Sequence, residues 1–78
     1  MPRYFFHLYN HLQCTDEEGT ELPDIDAARS RAVESARETM SHDVKQGEVC
    51  LSHRIEVADE SDRRVLVLRF GEAVSILP

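Results

Sequence analysis

Residues 22–47 read LPDIDAARSRAVESARETMSHDVKQG, and the rest of the chain is organised around them. Pro23-Asp24 has the chemistry of a helix start. The Asp24 carboxylate can accept from the free N–H groups of Asp26 or Ala27, and Asp26 suits the positive end of the helix dipole. Ile25, Ala28, Ala32, Ala36 and Met40 recur at intervals of three and four, an apolar stripe about 120° wide. Val33 and Val44 widen one edge of it. Ser30, Glu34, Arg37, Glu38 and Ser41 form the opposite face, where Glu34 and Arg37 are spaced to pair. Lys45 in the last turn and Gly47 beyond it stop the helix. The pattern predicts one helix of about 21 residues ending near Gln46, with alanines that let it lie close against a sheet.

The flanks supply that sheet. Arg3–Tyr9 (RYFFHLY) is aromatic and apolar and reads as a strand, with Tyr4, Phe6 and Leu8 on one face and Phe5, His7 and Tyr9 on the other. Gln13–Thr15 and Thr20–Leu22 read as ends of a second, weak strand around the turn Glu17-Glu18-Gly19-Thr20, where Gly19 is free to take positive φ. After the helix, Val49, Leu51, His53, Ile55 and Val57 alternate with polar positions, the pattern of a half-buried strand. Asp59–Asp62 is a polar turn, and Val65–Phe70 closes a hairpin with Leu66, Leu68 and Phe70 on one face and Val65 and Val67 on the other. In the tail, residues 71–78, Ala73, Val74, Ile76 and Leu77 are expected to dock on the body. The predicted fold is α+β: a small antiparallel sheet of about four strands in the order ββαββ, with one long helix across one face. Residues 1–78 form a single domain.

Composition narrows the function. Seventy-eight residues, 41% hydrophobic and 31% charged, suit a small globular domain. No apolar run approaches the roughly 18 residues that cross a bilayer, and MPRYFFHLYN lacks the long apolar core of a signal peptide. The expected compartment is the cytoplasm, with no membrane contact, and Cys14 and Cys50 are expected to stay reduced there. The net charge is −6, and six of the fifteen acids (Asp16, Glu17, Glu18, Glu21, Asp24 and Asp26) fall within eleven positions that hold no base. The remaining charges balance, and the bases are scattered: Arg29, Arg31 and Arg37 on the helix, Arg63 and Arg64 at a turn. Such a surface repels phosphate backbones and argues against nucleic acid as a partner.

Specific chemistry is hard to place. A calcium loop of the EF-hand type with Gly19 as its central glycine would put Cys14 and Ile25 at its two end ligands, and both fail. Asp16, Glu18 and Glu21 could still form a looser cation site. His7, His11 and Cys14, with Cys50 and His53, match no common zinc spacing, and on a strand His7 and His11 lie about 13 Å apart. Cys14 with His11, or Cys50 with His53, could be written as nucleophile and base, but no nucleophile elbow or glycine-rich phosphate loop accompanies them. Tyr4 and Phe6, or Phe5 and Tyr9, could stack bases, yet the flanking bases reduce to Arg3 and Arg69. No catalytic residue, metal ligand or cofactor is assigned, and no enzymatic activity is expected.

MPRYFFHLYN, DEEGTELPDIDAARSRAVESAR, RIEVADESDRRVLVLRF and the closing EAVSI together resemble a family of short bacterial proteins of unknown function. Members open MPRYFFH, carry D-x-x-G-x-E-L-P-D before an alanine-rich helix, and end in a valine-rich hairpin. This sequence departs where NHLQC replaces a shorter Asp- and Gly-rich connection. The resemblance implies a free-standing cytoplasmic domain and no known activity. More distantly, strand, acidic turn, L-P-D and helix resemble small antitoxin-type modules.

One helix shelters one side of a sheet, yet the first and last strands are apolar on both. Leaving Phe5, Tyr9, Val65 and Val67 in water forgoes several kcal/mol at about 25 cal/mol per Å². A second copy of the chain is the simplest cover. The expected interface is therefore Phe5, His7, Tyr9, Val65 and Val67 in a homodimer, with the acidic loop (Asp16, Glu17, Glu18, Glu21 and Asp24) facing an unknown protein partner. The alternatives are a nucleic-acid-linked regulator of the antitoxin type and a cation-binding protein acting through the acidic loop.

Overall fold

The computed structural model describes residues 1–10 and 13–78. Its elements are β1 (Arg3–Tyr9), β2 (Gln13–Cys14), β3 (Thr20–Glu21), α1 (Ile25–Lys45), β4 (Arg54–Ala58) and β5 (Arg64–Arg69), followed by one 3₁₀ turn, Phe70–Glu72. All pairings are antiparallel, and the sheet runs β2–β1–β4–β5 with β3 also on β1. The α+β class and, among the described residues, the one α-helix are as the sequence predicts, and the described sheet has five strands.

The fifth strand arises because the weak second strand is split. Gln13–Cys14 pairs with Leu8 and Tyr9, and Thr20–Glu21 pairs with Arg3 and Tyr4, so both pieces lie along β1 and neither pairs with the other. Between them the Phe6 N–H is met by a side chain, Asp16 Oδ2 at 3.1 Å. Further down, Leu22 N–H donates to the Pro2 carbonyl at 3.0 Å. A carboxylate thus fills the gap in a ladder that backbone serves above and below it.

The helix ends as its caps dictate. Asp24 accepts from Ala27 N–H at 2.8 Å, and Gly47 takes φ 96° past Gln46. Ala28, Ala32 and Ala36 are fully buried with Met40 beside them, so the helix backbone closes on the sheet; Ile25 and Val44 stay exposed. The core comprises that stripe with Tyr4, Ile55, Val57, Leu68, Phe70 and Ala73, and Phe6, Leu8 and Leu66 pack on its margin.

Three expectations are corrected. Residues 49–53 are not strand: β4 begins at Arg54, and Val49 and Leu51 are exposed. Leu51 and His53 instead accept from Gly71 and Phe70 N–H at 3.0 and 2.8 Å, so the chain leaving the helix is tied to the 3₁₀ turn. Ile76 and Leu77 do not dock, being 69% and 81% exposed; Ala73 is buried and Val74 packs on the core. Arg37, expected beside Glu34, donates from Nε to the Ala73 carbonyl at 2.8 Å and anchors the near part of the tail.

Candidate functional site

The outer face of the sheet, opposite the helix, holds the residues of interest. Alternation on β1 turns Phe5, His7 and Tyr9 outward, and the register sets them beside Ala58, Glu56 and Arg54 of β4. On β5, Arg69 and Val67 stand beside Arg54 and Glu56. A register shift at Val57/Ala58 pairs Ala58 with Arg64 and leaves Val65 at the bulge. Phe5, His7, Tyr9 and Val67 are half-buried and Val65 is exposed. The five residues expected at an interface therefore share a face, and none is covered by the chain's own tail.

Between the apolar columns lies a polar one. Arg54 Nε is 2.7 Å from Glu56 Oε2, and Arg64 Nη1 is 3.6 Å from the same oxygen. The Arg54 guanidinium also sits 4.4 Å from the centre of the Tyr9 ring, a cation–π contact between cross-strand neighbours. The Arg54 hydrogen bond holds the Glu56 carboxyl below its ordinary value, against a burial effect that raises it, with Arg64 adding to the lowering. Arg54, Glu56 and Arg64 were missed in the sequence. The signal was present in the alternation: if Ile55 and Val57 face the helix, Arg54, Glu56 and Ala58 must face away.

The face is a shallow trough rather than a pocket. One depression of about 270 Å³ is lined by His7, Tyr9, Gln13, Thr15, Glu56, Ala58, Asp62 and Arg64. A second adjoins it, sharing His7, Thr15 and Asp62, and is walled by Phe5, Asp16, Glu17, Asp59 and Glu60. The acids therefore gather on the β2/β3 margin and at the hairpin turn.

Most carboxylates of the acidic loop have internal work. Asp16 Oδ2 accepts from Phe6 N–H and Oδ1 from Glu18 and Gly19 N–H, each at 3.1 Å, while Asp16 N–H donates to His7 Nδ1 at 3.1 Å. Partial burial raises the Asp16 carboxyl, but the backbone donors at Gly19, Phe6 and Glu18, with His7, together bring it below its ordinary value. Glu21 pairs with Arg3 at 3.0 Å, and Arg3 also donates to the Glu18 carbonyl. Asp24 caps the helix. Glu17 and Glu18 are exposed and carry the loop's outward charge. Asp16, Glu21 and Asp24 thus build the loop, whatever the loop then meets.

Among the described residues, no three His, Cys, Asp or Glu side chains converge as metal ligands would. His11, paired with Cys14 in one reading of the sequence, lies outside the described residues. Cys14 and Cys50 are free thiols. The Cys50 Sγ contacts Ser52 Oγ at 3.1 Å, whereas the His53 ring stands edge-on to Phe70 with centroids 5.7 Å apart. No described helix is long and apolar enough to cross a membrane.

Residues 3–71 match the model of a family described as a domain of unknown function, DUF6894. The chain belongs to that family. The DUF6894 match takes in every strand, the helix and the acidic loop, and ends within the 3₁₀ turn. No curated protein and no solved structure matches the chain.

Proposed function

We propose that this chain is a small cytoplasmic, non-enzymatic protein-interaction domain that works as a homodimer, with the outer face of the sheet as its interface. The observation that carries the reading is a sheet face with Phe5, His7, Tyr9, Val65 and Val67 half-buried or exposed and, among the described residues, no helix or strand laid over it.

Glu17 and Glu18 leave the loop free to meet a further, basic protein from the margin of the dimer. The two alternatives have less support. For nucleic acid, Arg54 and Arg64 share the Glu56 carboxylate and the trough is flanked by acids, so little positive field remains. For a cation, both oxygens of Asp16 already accept backbone N–H groups and Glu21 is engaged by Arg3.

Light scattering on a size-exclusion column tests the reading. At tens of micromolar the wild type should run at twice its 8.9 kDa chain mass, and Phe5→Glu should run at the chain mass because it places a charge in the apolar column. A wild type that stays monomeric at that concentration refutes the dimer.

A further inference from the structure

The contact between His7 and Asp16 fixes the state of an imidazole. Asp16 N–H donates to His7 Nδ1 at 3.1 Å. A ring nitrogen accepts only through its lone pair, so this ring is neutral and carries its proton on Nε2. The bond ties the middle of β1 to the loop between β2 and β3. Next to it the Asp16 carboxylate accepts from Phe6 N–H, one residue before His7. The loop is therefore pinned to β1 at a single residue by two bonds of opposite sense. Asp16 gives one to the His7 side chain and takes the other from the Phe6 backbone.

Protonation turns Nδ1 into a donor. Two N–H groups would then face each other across 3.1 Å, so the ring must turn or the Asp16 backbone must withdraw. The half-buried ring has other partners within its surroundings once it is charged. The loop supplies the Asp16 carboxylate and Glu17, β4 supplies Glu56 directly across the ladder, and the hairpin turn supplies Asp59, Glu60 and Asp62. Tyr9 of β1 and Arg64 of β5 line the same trough, and Arg64 and Arg54 are both turned toward Glu56. The setting is thus acidic on balance. It supports a charge on His7 but not the bond that holds the loop.

We propose that His7 is a pH-sensitive latch for the loop of residues 15–19: the neutral ring holds the Asp16 backbone against β1, and the protonated ring exchanges that bond for the carboxylates around it. What the latch releases is the segment that bears Glu17 and Glu18, the outward charge of the loop. Histidine side chains change charge between about pH 5 and 8. The Asp16 carboxyl, held below its ordinary 3.8, stays ionised throughout that range, so the two groups answer acid in separate windows. The latch operates within one chain and does not depend on the dimer proposed above.

Nuclear magnetic resonance of the full chain tests it. At about pH 8 the neutral His7 ring should carry its proton on Nε2. Between about pH 8 and about pH 5 the Asp16 amide should shift with the midpoint of the His7 ring signals. Its exchange with solvent, relative to an unstructured peptide at each pH, should rise about tenfold as one hydrogen bond is lost. His7→Asn can place an amide oxygen where Nδ1 stands and does not titrate. In that variant, with circular dichroism confirming the fold, the Asp16 amide should stay protected and unmoved over the same range. The remaining histidines titrate in both proteins, so the difference between them belongs to His7.

Three results on the wild type overturn the latch with no variant needed: a neutral ring protonated on Nδ1, a ring that stays neutral to about pH 5, or an Asp16 amide that does not respond while His7 titrates. A fourth is an amide that responds equally in wild type and in folded His7→Asn. A monomer by light scattering removes the dimer and leaves all of these readings in place, so the two proposals fail separately.

Discussion

Replacing Asp16 with alanine should be the most damaging single change in the acidic loop, although its neighbours carry the same charge. The Asp16 carboxylate is the acceptor for three backbone N–H groups, those of Phe6, Glu18 and Gly19. The Phe6 donor lies in the sheet, between the Leu8–Tyr9 pairing with β2 and the Arg3–Tyr4 pairing with β3, where no described strand pairs with it on that side. Stranding it costs about 1–2 kcal/mol. The Glu18 and Gly19 donors sit in a loop that water reaches, so about 0.5 kcal/mol each is reasonable. Asp16→Ala should therefore lose about 2–3 kcal/mol, or on the order of 10–20 °C in Tm for a domain of this size. Asp16→Asn keeps one acceptor oxygen and should lose about half as much. Glu17→Ala, one residue away, should change stability by less than about 0.5 kcal/mol.

Urea titration monitored by circular dichroism reads these differences as shifts in midpoint at constant slope. If Asp16→Ala and Glu17→Ala prove indistinguishable, the carboxylate is not a structural part of the sheet edge and the reasoning fails. The pH dependence gives a second reading of the same group. The folded-state value of Asp16 lies below its ordinary 3.8, so the folded state binds its proton less readily than the unfolded chain. Its stabilisation is complete above the unfolded value. It is lost as the pH falls from there through the folded value. Wild type should therefore lose more stability than Asp16→Asn on acidification below about pH 4, and parallel curves would contradict the assignment.

Two further changes probe the same architecture. Gly19 has φ 73°, and a Cβ there would stand 2.8 Å from both Arg3 Cγ and Phe5 Cε2; Gly19→Ala should cost about 1–3 kcal/mol, read by thermal melting, and a neutral result would show that the loop can retreat from β1. Ala32 is fully buried where the helix meets the sheet, so Ala32→Leu should cost about 1–3 kcal/mol by overpacking, whereas the same change at exposed Arg31 should be close to neutral in the same denaturation assay.

The helix was legible in the sequence, to within a residue or so at its end, because its determinants are local. Asp24 reaches only to Ala27, Gly47 acts on its own turn, and the alanine stripe repeats within one element. The core strands were legible wherever alternation ran against a buried face, as at Ile55, Val57 and Leu68. Reading failed where a long-range contact decides the conformation. Asp16 bonds Phe6 ten residues away, and without that bond residues 13–22 read as one weak hairpin strand instead of two pieces along β1. The apolar residues at 49 and 51 mimic strand alternation, but the register of β4 is set by β1, whose last partner is Arg54 at Tyr9. Pairing stops there, and pattern alone cannot extend it.

The same distinction governs the outer face. Its apolar excess was visible residue by residue, since Phe5, Tyr9, Val65 and Val67 have no counterpart helix. What orders that face is the intervening column of Arg54 and Glu56, whose meaning depends on knowing that β4 lies between β1 and β5. With β1 and β5 adjacent, the apolar residues would form one patch, and a second copy could dock on it in many rotations. Separating them by an ion pair would penalise most of those rotations, because each would desolvate the Arg54–Glu56 pair against Phe5 or Val67. The apolar residues of this face are thus displayed openly by the sequence, whereas the polar column that divides them becomes informative only once the strand order is known.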